Sequence, residues 1–433
     1  MARVECPYGD GIIGFDIADR RLGEIASPRE SGQTELPNVA GIPAEGCDPE
    51  HLIACALENP INSPPLRDLA AGRKQIAVII DDMTRDTPTH LILPSVLEEL
   101  VRGGAAHGDI GIVIALGTHR PMTGSEIEEK VGPEIARRYR IVNTPCHDPD
   151  GFVFMGDGGG IPAWVNRAVA NADLRVAVGS ITPHMDAGFS GGAKIILPGV
   201  CSARTVDAFH ARQAELSGSQ LGVEDAPLRL QLEAFVGERV KLDFIVNVVM
   251  DGRGGIHRCV AGHFREAHRR GVESAREAYG VRVSKRYPLV VASAYPAQTD
   301  LWQSTKAIAS GELMTADGGA LILLAHCAEG EGPHPAFAEY IGSDPDRLIG
   351  MLRAGEARDP VACALAVPIS RIRQRIRIGV VSRGLSRDAC STMGFAYYDT
   401  IGAALENELS ALPDQTGAVG VLTHGGVSLP VLG

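Results

Sequence analysis

LRVAVGSITPHMDAGFSGGAKIILPG, residues 174–199, decides how this chain folds. It opens on an apolar run of strand length and passes into a Gly- and Pro-containing segment that carries His184, Asp186 and Lys194. A run that is apolar at nearly every position suits a strand covered on both faces, as in a parallel sheet flanked by helices, with its polar residues delivered at the C-terminal end. Two upstream stretches repeat the pattern. IAVII at 76–80 leads into Asp81, Asp82, Thr84 and Arg85, and IGIVIAL at 110–116 leads into Gly117 to Arg120. In a doubly wound sheet three such strand ends converge on one crevice.

The alternation of strand-like and helix-like segments starts again after the charged stretch 263–286, with PLVVASA at 288–294, ALILLAH at 320–326, IRIGVVS at 376–382 and AVGVLTHG at 418–425. The reading is therefore an α/β protein of two domains, each with a largely parallel sheet flanked by helices, divided as 1–275 and 276–433. Residues 1–70 read as a hairpin-like opening followed by a Pro-rich connection, INSPPLRD.

With 433 residues, 45% hydrophobic and 22% charged, the chain has enough apolar content for sizeable cores, which excludes a disordered or fibrous protein. A net charge of −12 argues against a nucleic-acid partner and leaves small molecules. Nine cysteines without a CxxC pair fit no disulfide framework, so a reducing cytoplasm is expected. The opening MARVECPYGDGIIGF has no basic region followed by an apolar core, and no run of about eighteen apolar residues follows, so neither secretion nor a membrane partner is expected.

The reactive side chains concentrate in PHMDAGFSGGAKIILPGVCSARTVDAFHAR, which supplies His184, Lys194 and His210 around a Gly-rich backbone. GFSGGAK lacks the spacing of a phosphate loop, and Ile195 stands where a magnesium-binding hydroxyl would be, which disfavours ATP hydrolysis. Gly188, Gly191 and Gly192 offer a backbone anion nest, against the plainer reading of a Gly-rich loop with a surface lysine. In DDMTRDTP, Asp82 and Thr84 suit ribose hydroxyls and Arg85 suits a carboxylate. The alternative there is a helix start capped by Thr84 or Asp86 with Pro88 in its first turn. His119 lies between a strand end and the capping-box pair Thr123 and Glu126, a rigid setting for an acid/base group. His210 falls on a helix and is a candidate metal ligand, but the chain has no HExxH and no Cys/His cluster for a protein-only zinc site. In DLWQSTK, Asp300 reads as a helix cap, with Gln303 and Lys306 on one face to hold an anion.

Taken together, DDMTR, GTHRPMT, PHMDAGFSGGAKIILPG, the His210 region and DLWQSTK, in that order, resemble the nickel-dependent lactate racemase family. The resemblance implies an enzyme that carries a nickel-pincer nucleotide (pyridinium-3,5-bisthiocarboxylic acid mononucleotide nickel) in an interdomain cleft, with 1–275 as the cofactor-binding and catalytic domain. It implies that Lys194 can bond covalently to the cofactor and that His210 binds nickel, with Asp82, Thr84, Ser190, Gly191 and Gly192 also at the cofactor. His119 and His184 match the acid/base pair, and Arg85, Gln303 and Lys306 match residues that hold substrate. Cofactor-synthesis proteins are implied as partners.

Such an enzyme would invert C2 of a 2-hydroxy acid by reversible hydride transfer, one histidine taking the hydroxyl proton and the other returning it on the opposite face. Asp186 and Trp302 depart from the lactate enzymes, and the aromatic wall expected near 360–370 is absent from DPVACALAVPIS. A carboxylate facing the substrate would welcome extra hydroxyls and repel a second carboxylate. The expected substrate is therefore lactate-like or a longer hydroxylated (sugar) acid rather than malate. Two rivals stay open: a non-catalytic nickel-nucleotide binding protein, and a metal-dependent hydrolase using His119, His184 and His210 as ligands.

Overall fold

The computed structural model describes residues 1–28, 48–216, 218–251, 254–412 and 417–433. The chain forms two compact units that are not consecutive stretches. The first comprises Glu30–Arg212 and Gly222–Ala278; the second comprises Met1–Arg29, Gln213–Leu221 and Tyr279–Gly433.

The first unit is built on a six-stranded sheet in the order Ile256–Gly262, Phe244–Met250, Leu174–Ser180, Ile76–Asp81, Ile110–Ala115, Arg140–Val142. Five strands are parallel, and Ile256–Gly262 closes one edge antiparallel. Strands Phe244–Met250, Leu174–Ser180 and Ile76–Asp81 are buried at every position, which is why their sequences are apolar without alternation. Helix Thr89–Arg102 turns Ile92, Leu93, Val96, Leu97 and Leu100 onto this sheet at the i, i+3, i+4 spacing of one helix face. Fully burying each such side chain contributes roughly 1.5–3 kcal/mol. Register sets Asp81 beside Ala115 and Ile80 beside Val178, so the polar strand ends emerge along one edge.

The main sheet of the second unit has six strands, all parallel, in the order Ala396–Tyr398, Arg377–Val381, Thr315–Leu324, Tyr287–Ser293, Val419–Leu422, Leu22–Ala26. The N-terminal hairpin, Ala2–Tyr8 against Gly11–Ile17, turns at Gly9 with φ 59°. Its Val4, Cys6, Tyr8, Phe15 and Ile17 pack on Leu289, Val291, Ile322 and Val421. Residues 1–28 thus complete the core of the later half, whereas a division at 275/276 places them with the earlier one. The parallel pairing of Leu22–Ala26 with Val419–Leu422 is what recruits them. Among the described residues no helix is long and apolar enough to cross a membrane.

Candidate active site

The end of strand Ile76–Asp81 folds around two buried carboxylates. Asp82, 4% exposed, accepts from His119 Nδ1 at 2.6 Å through Oδ2, and from Thr84 N (3.1 Å) and Thr84 Oγ1 (2.6 Å) through Oδ1. Burial alone would raise its pKa, but the hydrogen bonds from His119 and Thr84 outweigh it and hold the carboxyl below its ordinary value. An imidazole that gives its Nδ1 proton to a carboxylate presents a lone pair on Nε2. The His119 ring is thus held through Nδ1 by Asp82, between a strand end on one side and the Thr123 capping box on the other. Arg85 donates to Thr84 O (3.2 Å) and Thr84 Oγ1 (3.0 Å). Neither Thr84 nor Asp86 caps a helix here: the next helix starts at Thr89 with Pro88 before it and no side-chain cap.

Asp81 does different work. Its Oδ2 accepts from Thr87 Oγ1 at 2.5 Å, and its Oδ1 lies 2.9 Å from Lys130 Nζ. Lys130, 5% exposed, also donates to the carbonyls of Arg85 (2.9 Å) and Thr87 (3.2 Å). Burial pushes the Asp81 carboxyl up, with the Lys130 ammonium pulling the other way. This buried lysine pins the loop that carries Asp82, Thr84 and Arg85, and the sequence reading missed it.

The segment after strand Leu174–Ser180 doubles back at once. Pro183–His184 pairs antiparallel with Gly188–Phe189. Ser190 N donates to Thr182 O (2.8 Å), and Ser190 Oγ donates to Ser180 O (2.8 Å) and accepts from Thr182 N (2.9 Å). Ser190, expected at the cofactor, thus spends its hydroxyl on clamping its own loop. Gly191 and Gly192 take φ 73° and 57°. A Cβ on Gly191 would meet Asn247 Oδ1 at 2.9 Å, and one on Gly192 would meet the His268 ring at 2.9 Å. Gly192 N donates to Asn247 Oδ1 (2.8 Å), so that amide serves the sheet. Lys194 follows, half-buried, in the 3-10 turn Gly192–Ile195.

Behind this loop lies a buried charge cluster. Arg229, fully buried, donates to the carbonyls of Ala187 (3.3 Å), Phe189 and Gly191 (3.1 Å). His268, also fully buried, reaches Ser190 O with Nε2 at 2.8 Å. Burial and then the Arg229 guanidinium hold His268 well below the ordinary imidazole value, so it is neutral and donates from Nε2. Its Nδ1 accepts from Arg269 Nη1 (3.2 Å), whose guanidinium pairs with Glu233 at 3.0 Å. Arg229 and Asn247 were not singled out from the sequence, and His268, which reads there as exposed or as a supporting residue in a polar helix, is instead fully buried.

His184 and His210 meet through one residue. Asp186 N donates to His184 Nδ1 at 3.1 Å, and Asp186 Oδ2 lies 3.2 Å from His210 Nδ1. Asp186 was expected to face substrate; it is 1% exposed, with its carboxylate turned toward His210 on helix Ala203–Ala214. Among the described residues no three His, Cys, Asp or Glu side chains are grouped to hold a metal on their own.

In the second unit, Asp300 accepts from Gln303 N at 2.7 Å and starts helix Leu301–Met314, as its spacing predicts. Lys306 Nζ donates to Gln303 Oε1 at 2.8 Å, so these two share a face. Trp302 stacks on His334 with centroids 4.2 Å apart and meets the edge of Phe337 at 4.7 Å. His334 Nδ1 is held by Asp359 Oδ2 at 2.6 Å. The aromatic group beside Gln303 therefore comes from 302, 334 and 337, not from the Ala- and Val-rich helix Pro360–Arg375.

Comparison with known proteins agrees with this architecture. The family model of the lactate racemase N-terminal domain matches residues 8–222. The chain is 34% identical over 339 residues to the lactate racemase of Thermoanaerobacterium thermosaccharolyticum, covering 77% of this chain and 76% of that one. It is 30% identical over 338 residues to the lactate racemase of Lactiplantibacillus plantarum, with 77% and 76% covered. The solved lactate racemase apoprotein of Thermoanaerobacterium thermosaccharolyticum superposes with a TM-score of 0.87 at 29% identity, covering 99% of this chain and 100% of that one. A Thermotoga maritima structure at 20% identity shares the fold, with a TM-score of 0.63 over 86% of this chain and 99% of that one. The chain belongs to the lactate racemase family.

Proposed function

We propose that this chain is a racemase or epimerase that inverts C2 of a 2-hydroxy acid, with His119 and His184 moving the proton and a nickel-pincer nucleotide as the hydride acceptor. The observation that carries the reading is the 2.6 Å bond between Asp82 and His119 Nδ1. It leaves Nε2 of a half-exposed ring as a proton acceptor, where mere binding of a nucleotide needs none.

The residues fit the cofactor. His210 offers one imidazole whose Nδ1 side faces a carboxylate, the usual setting of a metal-binding histidine. Imidazole suits nickel, and a single protein nitrogen without a surrounding cluster suits a metal that arrives with its other donors. Lys194 would supply the amine that bonds the nucleotide, and Asp82, Thr84 and the 190–192 turn would lie against it. Held by these residues, the group would supply a hydride acceptor for C2.

The chain's own groups do the rest. His119 takes the hydroxyl proton at Nε2 as the C2–H bond breaks, and a planar 2-keto acid forms. His184 serves the other face. Asp186 N donates to His184 Nδ1 and so leaves Nε2 as the nitrogen that would exchange the proton on that face, the imidazolium giving it up and returning to neutral imidazole. Arg85 holds the substrate carboxylate, and on this reading Trp302, Gln303 and Lys306 contact the substrate as well. With Asp186 turned to His210, lactate and a longer hydroxylated acid stand equal as substrates.

Enzyme produced together with cofactor-synthesis proteins, then incubated with single enantiomers of a 2-hydroxy acid panel in deuterium oxide, tests this. Interconversion should occur with the C2 hydrogen retained, and His119→Ala and His184→Ala should each abolish it with nickel still bound. Full activity in both variants would remove the acid/base assignment, and solvent deuterium at C2 would remove hydride transfer.

A further inference from the structure

We propose that Asp186 is a positioning residue for His210: its carboxylate fixes the imidazole tautomer and ring angle so that Nε2 is the nickel-binding nitrogen. This rests on the functional reading above. Asp186 is 1% exposed, and a carboxylate withdrawn from water is strongly disfavoured unless a partner compensates it. His210 Nδ1, at 3.2 Å from Oδ2, is the cationic or donor group that faces it. The two atoms stand at ion-pair distance without the alignment of a good hydrogen bond, and among the described residues neither His210 Nδ1 nor Asp186 Oδ1 has a hydrogen-bond partner. A buried Nδ1 left unsatisfied 3.2 Å from a carboxylate oxygen marks a contact that completes when the ring is pulled into place.

The backbone explains why the carboxylate is there. Residue 186 sits in the short turn between Pro183–His184 and Gly188–Phe189, and its N–H is committed to His184 Nδ1. Arg229 holds the Ala187 and Phe189 carbonyls from behind, which fixes the backbone on the far side of the turn. On the other side His210 is steadied by the edge-on contact with Phe209, centroids 5.2 Å apart. A proton held on Nδ1 by Asp186 leaves the Nε2 lone pair as the donor and strengthens it, which is how carboxylates act on metal-binding histidines generally. The same burial withdraws Asp186 from a substrate, since a carboxylate 1% exposed and turned to His210 is closed to a substrate hydroxyl.

The test measures nickel rather than turnover. Wild type, Asp186→Asn, Asp186→Ala, His210→Ala and the double variant Asp186→Asn/His210→Ala are produced with cofactor-synthesis proteins. Nickel per chain and the rate of its loss to EDTA are then followed by metal analysis and by the chromophore's absorption band. Asp186→Asn should lose nickel about 10- to 100-fold faster than wild type. In the His210→Ala background the second substitution should add nothing, because Asp186 acts through the missing ring. Asp186→Glu, which keeps the charge, should retain nickel better than Asp186→Ala. Nickel retention equal to wild type in Asp186→Asn, with altered KM or substrate preference instead, would overturn the positioning role and leave the racemase reading standing. Wild-type chain that takes up no nickel would overturn both.

Discussion

Replacing Asp82 by Asn tests the arrangement at its most constrained point. Asn is nearly isosteric, and its carbonyl oxygen would stay with Thr84, whose amide and hydroxyl both donate to Oδ1 at 3.1 and 2.6 Å. The carboxamide NH₂ then faces His119 Nδ1 from 2.6 Å, in place of an oxygen that accepts. The ring responds by moving its proton to Nε2, the wrong tautomer for a base there. Returning to the base tautomer sets two donors against each other in a buried site, which costs about 1–3 kcal/mol. Losing the charge-assisted bond that stabilises the imidazolium as it forms costs a further 1.5–3 kcal/mol or so, roughly. At 1.36 kcal/mol per decade the sum slows turnover by about 10²- to 10⁴-fold. Folding is affected less, because Thr84 keeps its bonds. The assay is kcat and KM of cofactor-loaded enzyme, together with ¹⁵N NMR of the histidines to read the tautomer. A kcat within tenfold of wild type in a folded variant, roughly, would refute the reasoning.

Two further outcomes concern stability. His268 is held well below the ordinary value of 6.5 by burial and by Arg229, so as pH falls the unfolded chain binds this proton before the folded one does. Its effect is absent above the unfolded value and grows as a loss of stability toward its folded value, with a slope of up to about 1.4 kcal/mol per pH unit. His268→Gln can donate to Ser190 O and accept from Arg269, and should flatten that part of the curve; denaturant titrations at several pH values between neutrality and mild acid that stay parallel for the two proteins would contradict it. Gly188 has φ 73° and a Cβ there would overlap the Val223 carbonyl, so Gly188→Ala should destabilise by more than about 2 kcal/mol. Gly124→Ala, where a Cβ meets nothing within 4 Å, should be neutral or better, both read by denaturant titration at neutral pH.

What could be read in advance followed from local pattern. The apolar runs at 76–80, 110–116 and 174–181 are strands because a doubly covered sheet needs that composition. The caps at Thr123 and Asp300 were legible because a cap and its partner lie three residues apart. What escaped were partners distant in sequence. Leu22–Ala26 joins Val419–Leu422, and nothing local in either marks the pairing. Lys130, in EIEEKVG, has the look of a solvated helix lysine, yet it neutralises Asp81. His268 sits on the buried face of helix Glu266–Tyr279 with Ala267, Val272 and Ala275, but in a stretch so rich in charged residues that an imidazole there reads as solvated. Asp186 was misplaced for a related reason: spacing from His184 shows nearness, but the direction of a carboxylate depends on a helix more than fifteen residues later.

The four carbonyls tied down by Arg229 and His268, at 187, 189, 190 and 191, have a practical implication for protein engineering. The segment 183–199 is not portable. Its peptide planes are dictated by two residues some forty and eighty positions downstream, so a graft of the glycine motif alone into another scaffold would carry the right letters in an unsupported shape.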